Sequence, residues 1–226
     1  MILERLRINE AIRYLGYGNH TPDNNILKLL KDSEKELLKV IKPKYVYKIF
    51  DILEIDMNNN IVTLLGCSMK LVGKDIVNHL TGCQRVVVMA CTASNEVDKL
   101  LRITQVKDMT KAVVMDSLAS ASVEQICDNA QEEILSEIED YYSTWRFSCG
   151  YGDFPIESQN MFIDVLDAPK RIGLNATTSH LLVPTKSVTA VFGLSKNKLE
   201  KKRLGCESCN MKEKCNFRKK GERCEF

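Results

Sequence analysis

Apolar residues change their spacing several times along the chain, and each change predicts an element. Residues 2–15 are moderately apolar and read as a strand or turn leading into a short helix at Asn9–Leu15, which Gly16–Tyr17–Gly18 breaks. Thr21–Pro22–Asp23 opens a second helix, with Thr21 as N-cap and Pro22 at the first helical position. Ile26, Leu29, Leu30, Leu37, Leu38 and Ile41 keep helical spacing until Pro43 ends the run. Tyr45–Asp56 is rich in aromatic and β-branched residues. With the turn Asn58–Asn59–Asn60 and the run Ile61–Leu65 it predicts a β-hairpin.

Val72–Leu80 reads as a helix, Arg85–Cys91 as a short buried strand, and Asn95–Val106 as a helix behind it. The strand-turn-helix invites a dinucleotide-binding reading, but Thr92–Ala93–Ser94–Asn95 supplies no glycine for a pyrophosphate, which argues against it. Residues 110–140 carry the longest helical signal. Ala112, Met115, Ala119, Val123, Ile126, Ala130, Ile134 and Ile138 form one core stripe. Beside it runs a polar row, Asp116, Ser120 and Glu124, spaced i, i+4, i+8. Such a row is ordinarily a solvated face. Here the neighbouring Ser117, Ala119, Ala121 and Ser122 are small enough to admit another element or a ligand. Ser158–Leu166 is a short amphipathic helix, and Val188–Leu194 a strand beyond the Gly173–Pro184 segment. An early hairpin and helices clustered late predict an α+β fold rather than a strictly alternating α/β one.

The 226 residues support one domain, or one domain plus an appendage, and an apolar content of 44% excludes a disordered chain. A net charge of +2 offers nothing global to nucleic acid; the basic bias is local, at 196–220. No apolar run approaches the roughly 18 residues of a membrane span and no signal peptide opens the chain. The expectation is a cytoplasmic protein with neither membrane nor nucleic-acid partners. Its nine cysteines then read as thiols, metal ligands or redox groups rather than a disulfide frame. Cys67, Cys83, Cys91, Cys127 and Cys149 are scattered, as small buried hydrophobes would be, whereas the other four crowd into the C-terminal end.

The richest chemistry lies in Trp145–Arg146–Phe147–Ser148–Cys149–Gly150–Tyr151–Gly152–Asp153–Phe154–Pro155. Gly150 and Gly152 permit positive φ and close approach of another molecule. Arg146 offers a rigid fork of N–H donors to a carboxylate or phosphate. Tyr151 adds a flat face and a hydroxyl, and Pro155 stiffens the exit. The plain alternative is a surface β-turn with an incidental arginine.

Arg146–x–x–x–Gly150–Tyr151–x–x–x–Pro155 resembles the signature loop of the activation domain of cobalamin-dependent methionine synthase, the module that binds S-adenosylmethionine (AdoMet). The segment Ile172–Gly173, Thr177–Thr178–Ser179 and Pro184, followed by the strand Ser187–Ser195, resembles that domain's next segment. The likeness is best over 110–195, weaker before, and absent after 200. It implies a domain over 1–195 with a bent, largely antiparallel sheet covered by helices, here in free-standing form. It implies AdoMet binding, with Arg146 on the amino-acid carboxylate and Gly150 and Tyr151 as the pocket wall. Ser179 becomes a polar contact, Glu124 a glutamate near the ligand, and Val191 with Phe192 a strand edge against it. The family carries Tyr-Phe where this chain has Val191–Phe192, so one hydroxyl is lost. The acidic residue that meets AdoMet near the start of the fused domain has no identifiable counterpart.

The resemblance further implies reductive methylation of cob(II)alamin, with AdoMet as the methyl donor, in methionine biosynthesis. No Asp-x-His-x-x-Gly corrinoid motif surrounds His20, His79 or His180, so the cobalamin is expected on a partner. That partner is a short methionine synthase lacking its own activation domain, served by an electron donor such as flavodoxin or ferredoxin. Beyond a charged linker at Lys196–Arg203, the tail over 196–226 holds Cys206–x2–Cys209–x5–Cys215–x8–Cys224 among basic residues. Four soft ligands suit Zn²⁺ or an iron–sulfur cluster, although the spacing follows neither common template. Two other readings stay open: an iron–sulfur electron-transfer protein docking on a corrinoid protein, and a non-catalytic AdoMet-binding adaptor.

Overall fold

The computed structural model describes residues 1–17 and 20–199. The chain begins with helices α1 (Ile8–Tyr14) and α2 (Asn24–Val40), then strands β1 (Lys44–Asp56), β2 (Ile61–Leu64) and β3 (Lys70–Val72). Helix α3 (Lys74–Leu80), strand β4 (Arg85–Thr92) and helices α4 (Asn95–Lys107) and α5 (Met109–Ser136) follow. The last part holds β5 (Tyr142–Ser143), a 3₁₀ turn at Ile156–Ser158, α6 (Gln159–Leu166), α7 (Ala168–Ile172), the hairpin β6 (Asn175–Ala176) and β7 (Leu182–Val183), and β8 (Ser187–Ser195).

Six strands form one curled sheet in the order β3-β2-β1-β4-β8-β5, antiparallel at each junction, so the expected α+β class with a bent antiparallel sheet is what the chain adopts. The bend has a local cause. β1 pairs with β4 over Lys44–Asp51 and with β2 from Ile52 onward, and a register shift between Ile52 and Glu54 kinks it where it changes partner.

Both faces of the sheet are covered. Val87, Met89 and Cys91 of β4 point into a core with α1, α2, α4 and α5, whereas Val86, Val88 and Ala90 meet α3, α6 and α7. This two-sided burial is why β4 reads as an unbroken apolar run in sequence. β8 divides likewise: Ala190, Phe192 and Leu194 join the first core and Val191 the second.

Three helix boundaries differ from expectation. Asp23, not Thr21, caps α2: its Oδ1 accepts from the N–H groups of Asn25 (2.8 Å) and Ile26 (3.0 Å), and Pro22 lies outside the helix. The helix ends at Val40 rather than running on to Pro43, since Lys42 before a proline is disfavoured in helical geometry. Val72 belongs to β3, not to α3. Gly73 turns the chain at φ 139°, and the Asp153 carboxylate accepts from the N–H groups of Lys74 (2.7 Å) and Asp75 (2.9 Å). A cap supplied from so far along the chain leaves no local trace.

Candidate functional site

The loop containing Arg146 is built along the free side of β8. Tyr142–Ser143 pairs with Ser195–Leu194, the Thr144 N–H donates to the Gly193 carbonyl (2.9 Å), and Phe147 exchanges two backbone bonds with Val191 (2.8 and 2.9 Å). Between Ser143–Leu194 and Phe147–Val191 the loop carries one residue more than β8, so the chain bulges over 144–146. The bulge turns Arg146 toward α5. Beneath it His79 is buried, with Nε2 at 2.9 Å from the Trp145 carbonyl and its ring edge-on to Trp145 at 4.6 Å.

Beyond Phe147 the loop closes on itself. Tyr151 N–H donates to the Ser148 carbonyl (3.1 Å), Phe154 N–H to that of Tyr151 (2.9 Å), and Gly150 N–H to that of Phe154 (2.9 Å). Gly150 and Gly152 have φ of 87° and 54°, as their position demands. A Cβ on Gly152 would lie 2.0 Å from an Asp75 carboxylate oxygen, so the backbone approach there requires glycine. Phe154 is buried and Asp153 caps α3, and Tyr151 is the exposed aromatic ring of the loop, edge-on to Phe147 at 6.0 Å.

Arg146 meets the polar row of α5. Its Nη2 donates to Asp128 Oδ1 (2.6 Å) and, more weakly, to Glu124 Oε2 (3.4 Å), while Nη1 donates to Gln131 Oε1 (2.9 Å). The other Asp128 oxygen is taken by Arg7, just before α1. Asp128 is therefore balanced by two arginines, and Glu124 is held at arm's length. Its side chain is 43% exposed against 18% for Arg146. Among the described residues nothing engages Arg146 Nε. The row continues at the other end, where Lys186 bonds Asp116 (2.8 Å) and Ser120 (3.0 Å).

Two tyrosines overlook Glu124 from different elements, Tyr151 on the loop and Tyr14 at the end of α1. Burial raises the phenol pKa of each above its ordinary value, and the Glu124 carboxylate adds to both shifts. Arg13 lies over the Tyr14 ring at 4.8 Å. Cys149, on the inward side of the loop, is pushed up to about 12 by burial, so its thiol stays protonated. A cavity of about 610 Å³ between the N-terminal segment and α2, lined by Arg5, Glu34, Lys35 and others, meets this cluster through Arg7 and Glu10.

The fold defines a class: an antiparallel half-barrel sheet with helices on both faces and a glycine loop at its closing edge. It is the fold seen in the crystal structure of the MetH reactivation domain bound to AdoHcy, at a TM-score of 0.59 and 13% identity, covering 95% of this chain and 83% of that one. No protein-family model matches the chain, and no curated protein sequence matches it.

Of the expected site residues, Arg146, Gly150 and Tyr151 share the loop beside α5, where Arg146 reaches Glu124 and the Glu124 charge is felt by Tyr151. Val191 and Phe192 do not reach it. Both are fully buried on opposite faces of β8, and the edge of Val191 is already closed by Phe147. Ser179 is exposed on the β6–β7 hairpin, where its hydroxyl meets Thr177 Oγ1 at 2.9 Å. No described contact joins it to Arg146. Asp128 was within reach of sequence reasoning, since it continues the row at i+12; Tyr14 and Lys186 carry no such signal. Cys206, Cys209, Cys215 and Cys224 lie outside the described residues, and among the described ones no cluster of His, Cys, Asp and Glu is arranged to hold a metal. No described helix is long and apolar enough to cross a membrane.

Proposed function

We propose that this protein binds AdoMet in the groove beside Arg146 and presents it, in trans, to a cobalamin carried by a methionine synthase that lacks its own activation domain. The reading is carried by one observation: a half-satisfied arginine, a loosely held glutamate and an outward tyrosine gather beside α5 in a fold also found in an AdoHcy-bound reactivation domain. AdoMet ends in a zwitterion next to a sulfonium. The groove offers each part a complement.

Arg146 retains Nε–H, which no described residue engages, for the amino-acid carboxylate, and the Nη2 hydrogen now on Glu124 completes that edge once Glu124 yields, while Asp128 and Gln131 fix the plane of the guanidinium. Glu124 takes the α-ammonium or faces the sulfonium, since its bond to Arg146 is long enough to yield. Gly150 lets the ligand approach the loop backbone, and Tyr151 lies flat against its apolar part. Ser179, Val191 and Phe192 then act indirectly. Ser179 steadies its hairpin, and the β8 pair holds the strand on which the loop is registered. The partner's cobalamin supplies the methyl acceptor, and a donor such as flavodoxin or ferredoxin supplies the electron. This chain's share is to bind, orient and repeat one geometry.

The boundary at 195 and a metal-binding tail over 196–226 belong to the same proposal. Cys206, Cys209, Cys215 and Cys224 bind one centre, an iron–sulfur cluster in preference to Zn²⁺, and metal analysis after anaerobic purification that finds neither would remove it.

The role is tested by mixing the protein with a truncated methionine synthase in its cob(II)alamin state, a chemical reductant and AdoMet. Recovery of the methylcobalamin spectrum should require this protein and fall with Arg146→Ala. Equal recovery in its absence refutes the activation role.

A further inference from the structure

Arg7 belongs to the charged cluster around Arg146, and the reading above gives it no part. It stands just before α1, in a segment fixed from two sides. The Leu6 N–H donates to Glu34 Oε1 of α2 at 2.8 Å, Gln125 Nε2 of α5 donates to the Arg5 carbonyl at 3.1 Å, and Leu6 itself is buried. Gln125 precedes Asp128 by three residues, so the bond that holds Arg5 and the carboxylate that takes Arg7 lie on one face of α5. Arg7 lines the cavity of about 610 Å³ together with Glu4, Glu10 and Glu34, yet its partner is none of these. It reaches across to Asp128 Oδ2.

That pairing changes what Asp128 can do to Arg146. A carboxylate with two free oxygens closes on a guanidinium through two parallel N–H···O bonds. With Oδ2 taken by Arg7, Asp128 has Oδ1 left for Arg146, which it holds by a single bond from Nη2 at 2.6 Å. Gln131, a neutral acceptor, takes Nη1 at 2.9 Å, and Glu124 stands off at 3.4 Å. The guanidinium is steadied and its Nε–H stays open. Without Arg7, the freed oxygen and the whole charge of Asp128 turn to the other cation they touch, which is Arg146. Folding gains little from the Arg7 pair, since its side chains are 44% and 31% exposed and ion pairs so open add little to stability. Its effect falls on Arg146.

We propose that Arg7 is a positioning residue for the ligand anchor. By holding one oxygen of Asp128 it keeps that carboxylate from closing on Arg146 with both, and so leaves the guanidinium to the amino-acid carboxylate of the ligand. The assignment rests on the AdoMet reading of Arg146 and deepens it: the anchor is Arg146, and its availability is set from α1 through Asp128. Arg7 does not touch the ligand.

The test is calorimetry of the full chain with AdoHcy, which carries the amino-acid end of AdoMet without the sulfonium charge. Arg7→Ala should bind it about fivefold more weakly, part of the loss expected for Arg146→Ala, while the unfolding temperature stays close to that of the wild type. Arg7→Lys, which returns a cation to Asp128, should recover most of the affinity. The double variant Arg7→Ala, Asp128→Asn decides the route. Asparagine has one acceptor oxygen and no charge, so it steadies Arg146 by one bond and cannot close on it by two. The double variant should therefore bind better than Arg7→Ala alone, whereas a merely structural role would make it worse. Wild-type affinity in Arg7→Ala, or a double variant no better than Arg7→Ala, overturns the role of Arg7 and leaves Arg146 in place. If Arg7→Ala does not fold, Arg7→Met, which keeps most of the stem, replaces it with the same expectations. Failure of the wild type to bind AdoHcy, or of Arg146→Ala to weaken that binding, overturns the AdoMet reading and the role of Arg7 together.

Discussion

The middle of β8 and the loop bonded to its side make an instructive pair. Val191 and Phe192 are fully enclosed, whereas Arg146, joined to the same strand through Phe147, turns to the carboxylates of α5 and Tyr151 is exposed. The two regions share a strand and differ only in whether the ladder is regular. Where β8 is flanked on both sides and covered on both faces, every side chain has a packing duty. Where the neighbouring chain carries one residue too many, a side chain is turned out of the ladder and becomes available. Ligand chemistry falls to the irregular part, and the regular part keeps it in place.

The sharpest way to break this comparison is to truncate the buried member. Phe192→Ala should destabilise the protein by about 3–5 kcal/mol, measured by denaturant or thermal unfolding, because a large side chain is lost from a closed core. A loss below about 1 kcal/mol would mean that the strand centre is not packed as described.

A smaller effect sharpens the other side. Gly152→Ala places a methyl group against the Asp75 carboxylate and forces a side chain into positive φ. The strain should cost about 1–3 kcal/mol. It should also loosen the loop without touching the groove floor, giving weaker AdoMet binding with an undisturbed α5. Unchanged stability and affinity in Gly152→Ala would show that the close approach to α3 does not position Tyr151.

Much of this arrangement was legible beforehand. The stripe from Ala112 to Ile134 announces α5, the unbroken apolar run Val86–Cys91 announces a strand buried on both faces, and the Asn58–Asn60 turn fixes the β1–β2 hairpin. The glycines of the loop announce its positive φ values. What stayed hidden depends on distant partners. The start of α3 is set by Asp153, the balance of Asp128 by Arg7, and that of Asp116 by Lys186. Val191 and Phe192 illustrate the converse. A motif position shows which residues accompany a site, but only the pairing of Val191 with Phe147 shows that this one stands behind it.

The central claim is that Arg146 anchors AdoMet, and isothermal calorimetry of the full-length protein tests it most directly. The wild type should bind AdoMet. Arg146→Ala should weaken binding about tenfold or more, as expected for the loss of a charge-assisted contact. Asp128 keeps Arg7 as a partner in that variant, so the fold should survive, and the far-ultraviolet spectrum should be unchanged. Binding at wild-type affinity by a folded Arg146→Ala variant, or no binding by the wild type, would contradict the account.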